Sequence, residues 1–385
     1  VALLCAWAGA CRPTPSTPAK ETGCRPREQP ALPQLDYAVG MRWEAGSGFR
    51  RVLIPAPWPG AATAFAVILL ECGAALPEQH AGEPWLRVPI DRVATTAAIQ
   101  AAQLAAIGAA PAIVAHTGRD LIWAPEVQAR HELILELGGE GPLELEKLSS
   151  ANAAVVLTNP LSAADDIAAR LAPLGIVAIP HAEWLEPHPV GRAEWLHLVA
   201  ALVGREAEAA RILEQVHAGW RAITDRTSDL EAHERPEVFT GLPWRGTWWV
   251  PPAHSATAEL VRAAGGRWAL DRLESQRLQV GSGNLPVDLE AMVAVAGEAE
   301  VWLGPGLART RAQILAAEPR AHLLHALDHG LVLVPDLRLG EHGANDWWEG
   351  AVVRPDLALA ELASWLHPDR FTVAERRWLR RLERP

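Results

Sequence analysis

Lysine is almost missing from this sequence. Lys20 and Lys147 are the only two in 385 residues, so nearly all of the 35 basic residues are arginine. With a net charge of −11 there is no basic face to neutralise phosphates, which argues against a nucleic-acid partner. No run of about 18 apolar residues occurs, so the body of the chain holds no membrane-spanning helix. The four cysteines, Cys5, Cys11, Cys24 and Cys72, match no zinc or CxxC spacing. GxGxxG, the P-loop, GxSxG and HExxH are all absent. The nearest approach is Gly281-Ser282-Gly283, where Pro286 occupies the place a third glycine would need, and Asn284 makes the stretch a loop. Tyrosine is present once, as Tyr37, and phenylalanine four times, against seventeen tryptophans. At 49% hydrophobic and 21% charged residues the chain is that of a folded protein, and its length suits two lobes better than one core.

The first ten residues are apolar and small and stop at Cys11-Arg12-Pro13. They read as the end of an export signal closed by a lipobox, Ala8-Gly9-Ala10-Cys11, which makes Cys11 the expected site of acylation. A buried first strand is the alternative. Residues 12–34 are rich in Pro, Thr and charge and read as an extended tether. Export would leave Cys24 and Cys72 as a candidate disulfide, with the pairing open. The expected organisation is a signal remnant over 1–11, a tether over 12–34, an N-terminal lobe over 35–190, a connecting helical segment over 191–230 and a C-terminal lobe over 231–385.

Short apolar runs at 64–70, 112–115, 154–158, 176–179, 238–240, 301–303 and 331–334 predict buried strands. Helical stretches such as 97–107 and 165–171 lie between them. Alternating β and α elements predict an α/β fold with parallel, doubly wound, Rossmann-like sheets. Pro189 and Gly191 introduce helix over 192–203, Gly204 interrupts it, and 205–226 continues with Ile212, Val216, Trp220 and Ile223 on one face. Such a helix, with βα units on either side, can join two lobes as a strut. A faint internal repeat aligns Glu146 with Glu290, Leu148 with Met292 and Leu157 with Val301. Thr372-Val373-Ala374-Glu375 has the form of a capping box and predicts a last helix carrying Trp378 and Leu382.

Five segments carry a family resemblance: DYAVGMRW at 36–43, PIDRVATT at 89–96, EWLEPHPVGRAEWL at 183–196, WWVPPAHS at 248–255 with AGGRW at 264–268, and NDWWEGAVVRPDLALAELASWLHPD at 345–369. The chain resembles the substrate-binding lipoproteins of bacterial ABC importers for iron chelates and cobalamin, the class III periplasmic binding proteins, from about Asp36 to its end. It departs from them at Pro252, Ala253 and His254, where relatives usually have Gly-Gly-Asn. The resemblance implies two lobes joined by one rigid helix, with cargo captured in the cleft between them. It also implies a periplasmic, lipid-anchored monomer with no resident cofactor, which delivers an iron(III)-siderophore-type chelate, or cobalamin or haem, to a permease. One acidic residue on each lobe docks to the permease in that family, and Glu146 and Glu290 occupy matching places in the repeat.

In open α/β sheets ligands sit beyond the carboxyl ends of the strands. Reading forward from those ends gives His116, then His181, Glu183, Trp184 and Glu186, then Trp244, Arg245, Trp248 and Trp249. Arg338, His342, Asn345 and Trp347 follow the strand at 331–334, and His254 comes from the resembling motif. Indole faces suit large, semi-apolar cargo, and Arg245 or Arg338 suits an anionic chelate. Trp248 and Trp249 are neighbours on a strand and should point to opposite faces. His116, His181, His254 or His342 could supply an axial ligand to haem or cobalt. His322, His325 and His329 have a helical spacing able to hold a metal, but no carboxylate or cysteine joins them, and no metal site is expected there. An enzyme or a scaffold lipoprotein on the same architecture is the rival reading. The first lacks a catalytic motif and the second needs no tryptophan-lined cleft.

Overall fold

A computed structural model of the chain describes residues 27–138, 143–274 and 284–383. The lipobox with Cys11, the start of the tether and the 281–283 loop lie outside the described residues. Cys72 is disulfide-bonded, while the other three cysteines, Cys24 among them, also lie outside.

Strands β1 (Arg42–Gly46), β2 (Phe49–Ile54) and β3 (Phe65–Leu70) form an antiparallel meander, and β4 (Trp85–Arg87) joins β3 in parallel. The apolar run at 64–70 therefore belongs to this meander and not to a parallel sheet. Residues 27–34 do not behave as a free tether. Arg27 lies 3.0 Å from carboxylate oxygens of both Glu71 and Glu206, and Gln29 bonds the backbone of Gly48 and Phe49. Arg50, almost fully buried, closes this network on the same two acids at 3.0 and 2.9 Å.

Two parallel sheets follow. The first contains β5 (Val93–Thr95), β6 (Ile113–His116), β7 (Leu135–Glu136), β8 (Val155–Thr158) and β9 (Val177–Pro180), in the order β7-β6-β5-β8-β9. After β10 (Glu237–Thr240), β11 (Pro243–Trp244) and β12 (Thr247–Val250) make a hairpin, extended after β13 (Arg267–Trp268) by β14 (Leu285–Val287). The second sheet has β10 and β13 with β15 (Val301–Leu303), β16 (Leu331–Val334) and β17 (Arg380–Arg381), in the order β13-β10-β15-β16-β17. All its pairs are parallel except β16 with β17. Strands β8 and β15 are buried along their whole length, which explains why their sequences run apolar without alternating.

The two sheets share one topology. In β6-β5-β8-β9 and in β13-β10-β15-β16 the second strand in sequence lies beside the first, and the third and fourth extend the other side. Helix Leu145–Ser150 feeds β8 just as helix Leu289–Ala296 feeds β15, which places Glu146 and Glu290 at equivalent, exposed positions in their first turns.

Three helices connect the sheets: Pro189–Glu194, Leu196–Val203 and the 22-residue Glu206–Thr227. Proline opens the first, where its missing N–H costs nothing, and Gly204, at φ +70°, ends the second in the left-handed region. On the long helix Ile212, Val216 and Trp220 are buried. It packs against helix Pro355–Leu366 so closely that a Cβ on Gly219 would come within 2.9 Å of the Asp356 Cβ.

Two further sequence expectations fail. No helix follows Thr372: the buried Glu361 carboxylate accepts the N–H groups of Arg377, Trp378 and Leu379, and the extended chain runs on into β17. His322, His325 and His329 do not share one helix, because the short 3₁₀ turn Pro319–Leu323 ends before helix His325–Asp328 begins.

Candidate functional site

A cavity of about 220 Å³ opens at the carboxyl ends of three adjacent parallel strands of the second sheet. Thr240 ends β10 and Gly241 follows it, Gly304 and Gly306 follow β15, and Pro335 follows β16. This is where an open α/β sheet leaves room for a ligand, since the loops there part to either side of the strand where the crossovers change direction. Pro189 and Arg192 of the first connecting helix close one wall, and residues from 347 to 358 close another. Three indoles reach this space: Trp249 from β12 and the neighbours Trp347 and Trp348 from the 3₁₀ turn Asp346–Trp348. Trp249 is 46% exposed and Trp348 61%.

Strand alternation explains the first of these. Along β12 Trp248 points inward, fully buried and 5.7 Å from Trp302, and Trp249 points outward. Of the candidates read from the sequence, Trp249 and Trp347 line the cavity, and the others lie elsewhere. His116 is buried with Nδ1 2.6 Å from the Thr95 hydroxyl, and His181 is buried with Nε2 2.8 Å from the Gln103 side chain. Burial pushes both imidazoles down to about 4, which keeps them neutral. Glu186 accepts the N–H groups of Val39 and Gly40 and the indole N–H of Trp195, so it ties down the DYAVG segment. Trp184 is half-buried beside it in sequence and lines no part of this cavity. Trp244 and Arg245 sit at the hairpin tip, with the guanidinium 4.4 Å from the indole ring. Arg245 (φ 52°) and Gly246 (φ 81°) make that two-residue turn. Asn345 caps the 3₁₀ turn through Trp347 N–H and bonds the Pro335 carbonyl, while His254 and His342 are exposed loop residues.

The sequence reading did not single out Arg192, Thr257, Asn284 or Trp348, all on the cavity wall. Arg192 stands inside the EWLEPHPVGRAEWL segment, and a cation one turn into an interlobe helix was a usable signal. Its Nε donates to Glu183 Oε2 at 2.6 Å, so Glu183 reaches the cavity only through the arginine.

A second junction between the lobes lies beside the cavity. Glu349 is buried and accepts the N–H groups of Trp123 at 2.6 Å and Ala124 at 3.1 Å, from the loop beyond β6. Arg338 pairs with Asp346 at 3.1 Å and stands 5.2 Å from the Trp123 ring. Ile99 and Ala102 of helix Ala98–Ala106 pack on Val352 and Val353. The segment that supplies two of the indoles is thus also the one that grips the other lobe. A larger cavity, about 560 Å³, lies between residues 30–36 and the long helix and takes nothing from the strand ends. Arg50 and Glu206 on its wall are paired with each other, and His217 with Asp36 and Glu194. Among the described residues no helix is long and apolar enough to cross a membrane, and no group of three His, Cys, Asp or Glu could hold a metal ion.

Two like-ordered parallel sheets, a helical strut and a crevice at the strand ends are the plan of a two-lobed binding protein. Residues 93–336 match the family described as periplasmic binding protein, and the chain belongs to that family, with the class III fold. An uncharacterised lipoprotein of Methanocaldococcus jannaschii is 25% identical over 241 residues, 62% of this chain and 54% of that protein. The chain thus spans about half the length of that relative. Among solved structures, a periplasmic binding protein from Veillonella parvula superposes with a TM-score of 0.56 at 13% identity, over 86% of this chain and 98% of that one. A periplasmic haem-binding protein from Pseudomonas aeruginosa gives 0.56 at 15%, over 76% and 98%. The molybdate-bound periplasmic protein of Haemophilus influenzae gives 0.56 at 17%, over 73% and 87%.

The Glu349 contact has a pH signature. Burial pushes this carboxyl from its ordinary value near 4.5 up to about 8; the N–H groups of Trp123 and Ala124 only partly offset the rise, and the charge of Asp346 adds to it. The folded state therefore holds a proton that the unfolded chain has released above pH 4.5, so this stabilisation is complete below that pH and is lost as pH rises through about 8. Denaturant unfolding from pH 4.5 to 8.5 should show the wild type losing stability relative to Glu349→Gln by up to roughly 1.4 kcal/mol per pH unit. Parallel profiles would show that Glu349 does not titrate in this way.

Proposed function

We propose that this protein is the extracytoplasmic, lipid-anchored receptor of an ABC importer, and that it captures an iron(III)-siderophore-type chelate between its lobes for delivery to a permease. The observation that supports the reading is the convergence of Trp249, Trp347 and Trp348 on one cavity at the strand ends. Indole faces bury large flat or aryl groups by stacking and area loss, at about 0.5–1.5 kcal/mol per aromatic pair beyond simple burial. No histidine, tyrosine, methionine or cysteine among the described residues lines the cavity. Such a wall suits cargo whose metal is already fully coordinated, which favours a siderophore complex over haem awaiting an axial ligand. Cobalamin, coordinatively complete and large, is the second reading, and the same indole surfaces favour it. Export and acylation at Cys11 follow from the lipobox in the sequence and agree in kind with the lipoprotein relative.

Docking on the permease is proposed through Glu146 and Glu290, exposed and equivalent by the repeat. Glu290 lies 3.2 Å from Arg320, an exposed pair worth little in stability and free to exchange partners. Two separated carboxylates would contribute orientation and encounter rate more than affinity.

Titration with ferric siderophore complexes, cobalamin and haemin should quench tryptophan emission at micromolar or lower concentration without turnover, and one siderophore complex should bind most tightly. A flat emission signal with every one of them removes the reading. Reversing Glu146 and Glu290 together to Lys should abolish uptake while leaving that quenching unchanged, and unimpaired transport by the double variant would remove the docking claim.

A further inference from the structure

One stretch of chain is both cavity wall and lobe contact. The 3₁₀ turn Asp346–Trp348 runs through Glu349 into helix Gly350–Val353. Trp347, Trp348, Ala351 and Val352 of this stretch line the cavity. Val352 also packs, together with Val353, on Ile99 and Ala102 of the first lobe. Glu349 stands between Trp348 and the helix, and its side chain reaches the other way, to the loop beyond β6.

That loop is held twice at one residue. Glu349 accepts the backbone N–H of Trp123, and the Arg338 guanidinium stands over the Trp123 ring at 5.2 Å. Asp346 ties the two holders together: its Oδ2 pairs with Arg338, and its Oδ1 accepts the Gly350 N–H beside Glu349. Trp123 is not part of the cavity wall, and its link to cargo runs through these groups. A shift of the stretch toward cargo moves the grip on Trp123 with it.

Resting on the reading of the cavity given above, we infer that residues 122–124 are a latch between the lobes, engaged by Glu349 and Arg338, and that cargo binding and latch engagement promote one another with uptake of a proton. By linkage, each raises the equilibrium constant of the other by the same factor. The proton belongs to Glu349. Burial holds its carboxyl up at about 8 while the latch is engaged, and a carboxyl withdrawn into water returns to its ordinary value near 4.5. Engagement therefore takes up a proton between pH 4.5 and about 8, and it weakens as pH rises through that window. Asp346 adds to the rise. The other charges nearby are engaged elsewhere: Arg338 with Asp346, Arg354 with Asp356, Arg192 with Glu183, and Glu194 with the backbone at 36–38. On the first lobe Arg119 bonds the His131 and Ile134 carbonyls, Asp120 pairs with His131, Glu126 is exposed, and helix Ala98–Ala106 carries no ionisable group.

The probe is a neutral ferric tris-hydroxamate, whose own charge stays constant over the window, titrated by tryptophan quenching against the full chain. The wild type should bind it at least about tenfold more weakly at pH 8.5 than at pH 5.5. Glu349→Gln, uncharged at every pH and still an acceptor for the Trp123 N–H, should bind equally at both and within about threefold of the wild type at pH 5.5. Trp123→Ala, which removes the ring under Arg338 and no cavity residue, should weaken binding by about threefold to fivefold. Hydrogen exchange reads the coupling directly: saturating probe should slow exchange of the Trp123 and Ala124 N–H groups in the wild type by at least about tenfold. That measurement needs no variant, so it decides the matter even where Glu349→Gln fails to fold. Quenching without slower exchange at Trp123 and Ala124, the same pH profile in the wild type and Glu349→Gln, or unchanged affinity in Trp123→Ala overturns the inference while leaving the cavity as the cargo site. Failure of the probe to quench the wild type at either pH overturns the inference together with the reading beneath it.

Discussion

The distance between the two sheets is held by a helix with no break along its length. Glu206–Thr227 runs for 22 residues, about 33 Å at 1.5 Å per residue, and buries Ile212, Val216 and Trp220 on one side. Its glycine at 219 does not kink it; it lets Asp356 of the neighbouring helix approach to a distance that any side chain would prevent. A second helix locked along the first gives a junction that resists hinging far better than crossing strands or a loop would. The cavity at the strand ends is walled by side chains and short loops carried on that frame.

Buried carboxylates do much of the remaining fastening, and they do it in one recurring way. Glu194 collects the N–H groups of Asp36, Tyr37 and Ala38; Glu186 those of Val39 and Gly40; Glu361 those of Arg377, Trp378 and Leu379; and Glu349 those of Trp123 and Ala124. An extended segment has several N–H groups in a row with no helix or sheet to satisfy them, and a carboxylate is the acceptor that can take two or three. Desolvation opposes this, and the outcome differs by site. At Glu194 the opposing burial is outweighed by His217 and the backbone donors, so its pKa falls below the ordinary value; at Glu349 burial wins. These ties explain why the acidic residues in the family-like segments, which invite a functional reading, are mostly structural, while Trp249, Trp347 and Trp348 face the cavity.

Much of the plan was legible in the sequence because buried strands leave a plain mark in apolar runs, although the run at 64–70 proved to belong to the meander and not to a parallel sheet. All seven apolar runs are strands, and the strut was readable from its four-residue stripe. The repeat was readable too, and the common strand order of the two sheets gives it a physical basis. Short paired strands such as β11 and β14 carry no such mark, since two or three residues that include a proline read as a loop, whereas Trp248 and Trp249 of β12 were read as neighbours on a strand. The capping-box pattern at Thr372 was a sound local signal overruled by a distant acceptor, Glu361. The site was less legible than the fold. Alternation marked one of Trp248 and Trp249 as outward without saying which, and of the candidate histidines His116, the last residue of β6, and His181, the first after β9, proved to be buried and bonded to Thr95 and Gln103. Arg192 was hidden by its setting in a helix, far in sequence from any strand end of the sheet it serves.

The account stands on cargo lying against Trp249, Trp347 and Trp348 at the carboxyl ends of β10, β15 and β16. Anomalous diffraction at the iron edge, from crystals of the protein grown with a ferric chelate, locates the metal without reference to any assumed pose. The account predicts a single iron peak in that cavity, within stacking reach of the three indoles and on the side of Arg192. An iron peak elsewhere, such as behind the long helix near Trp43 and His197, would contradict it.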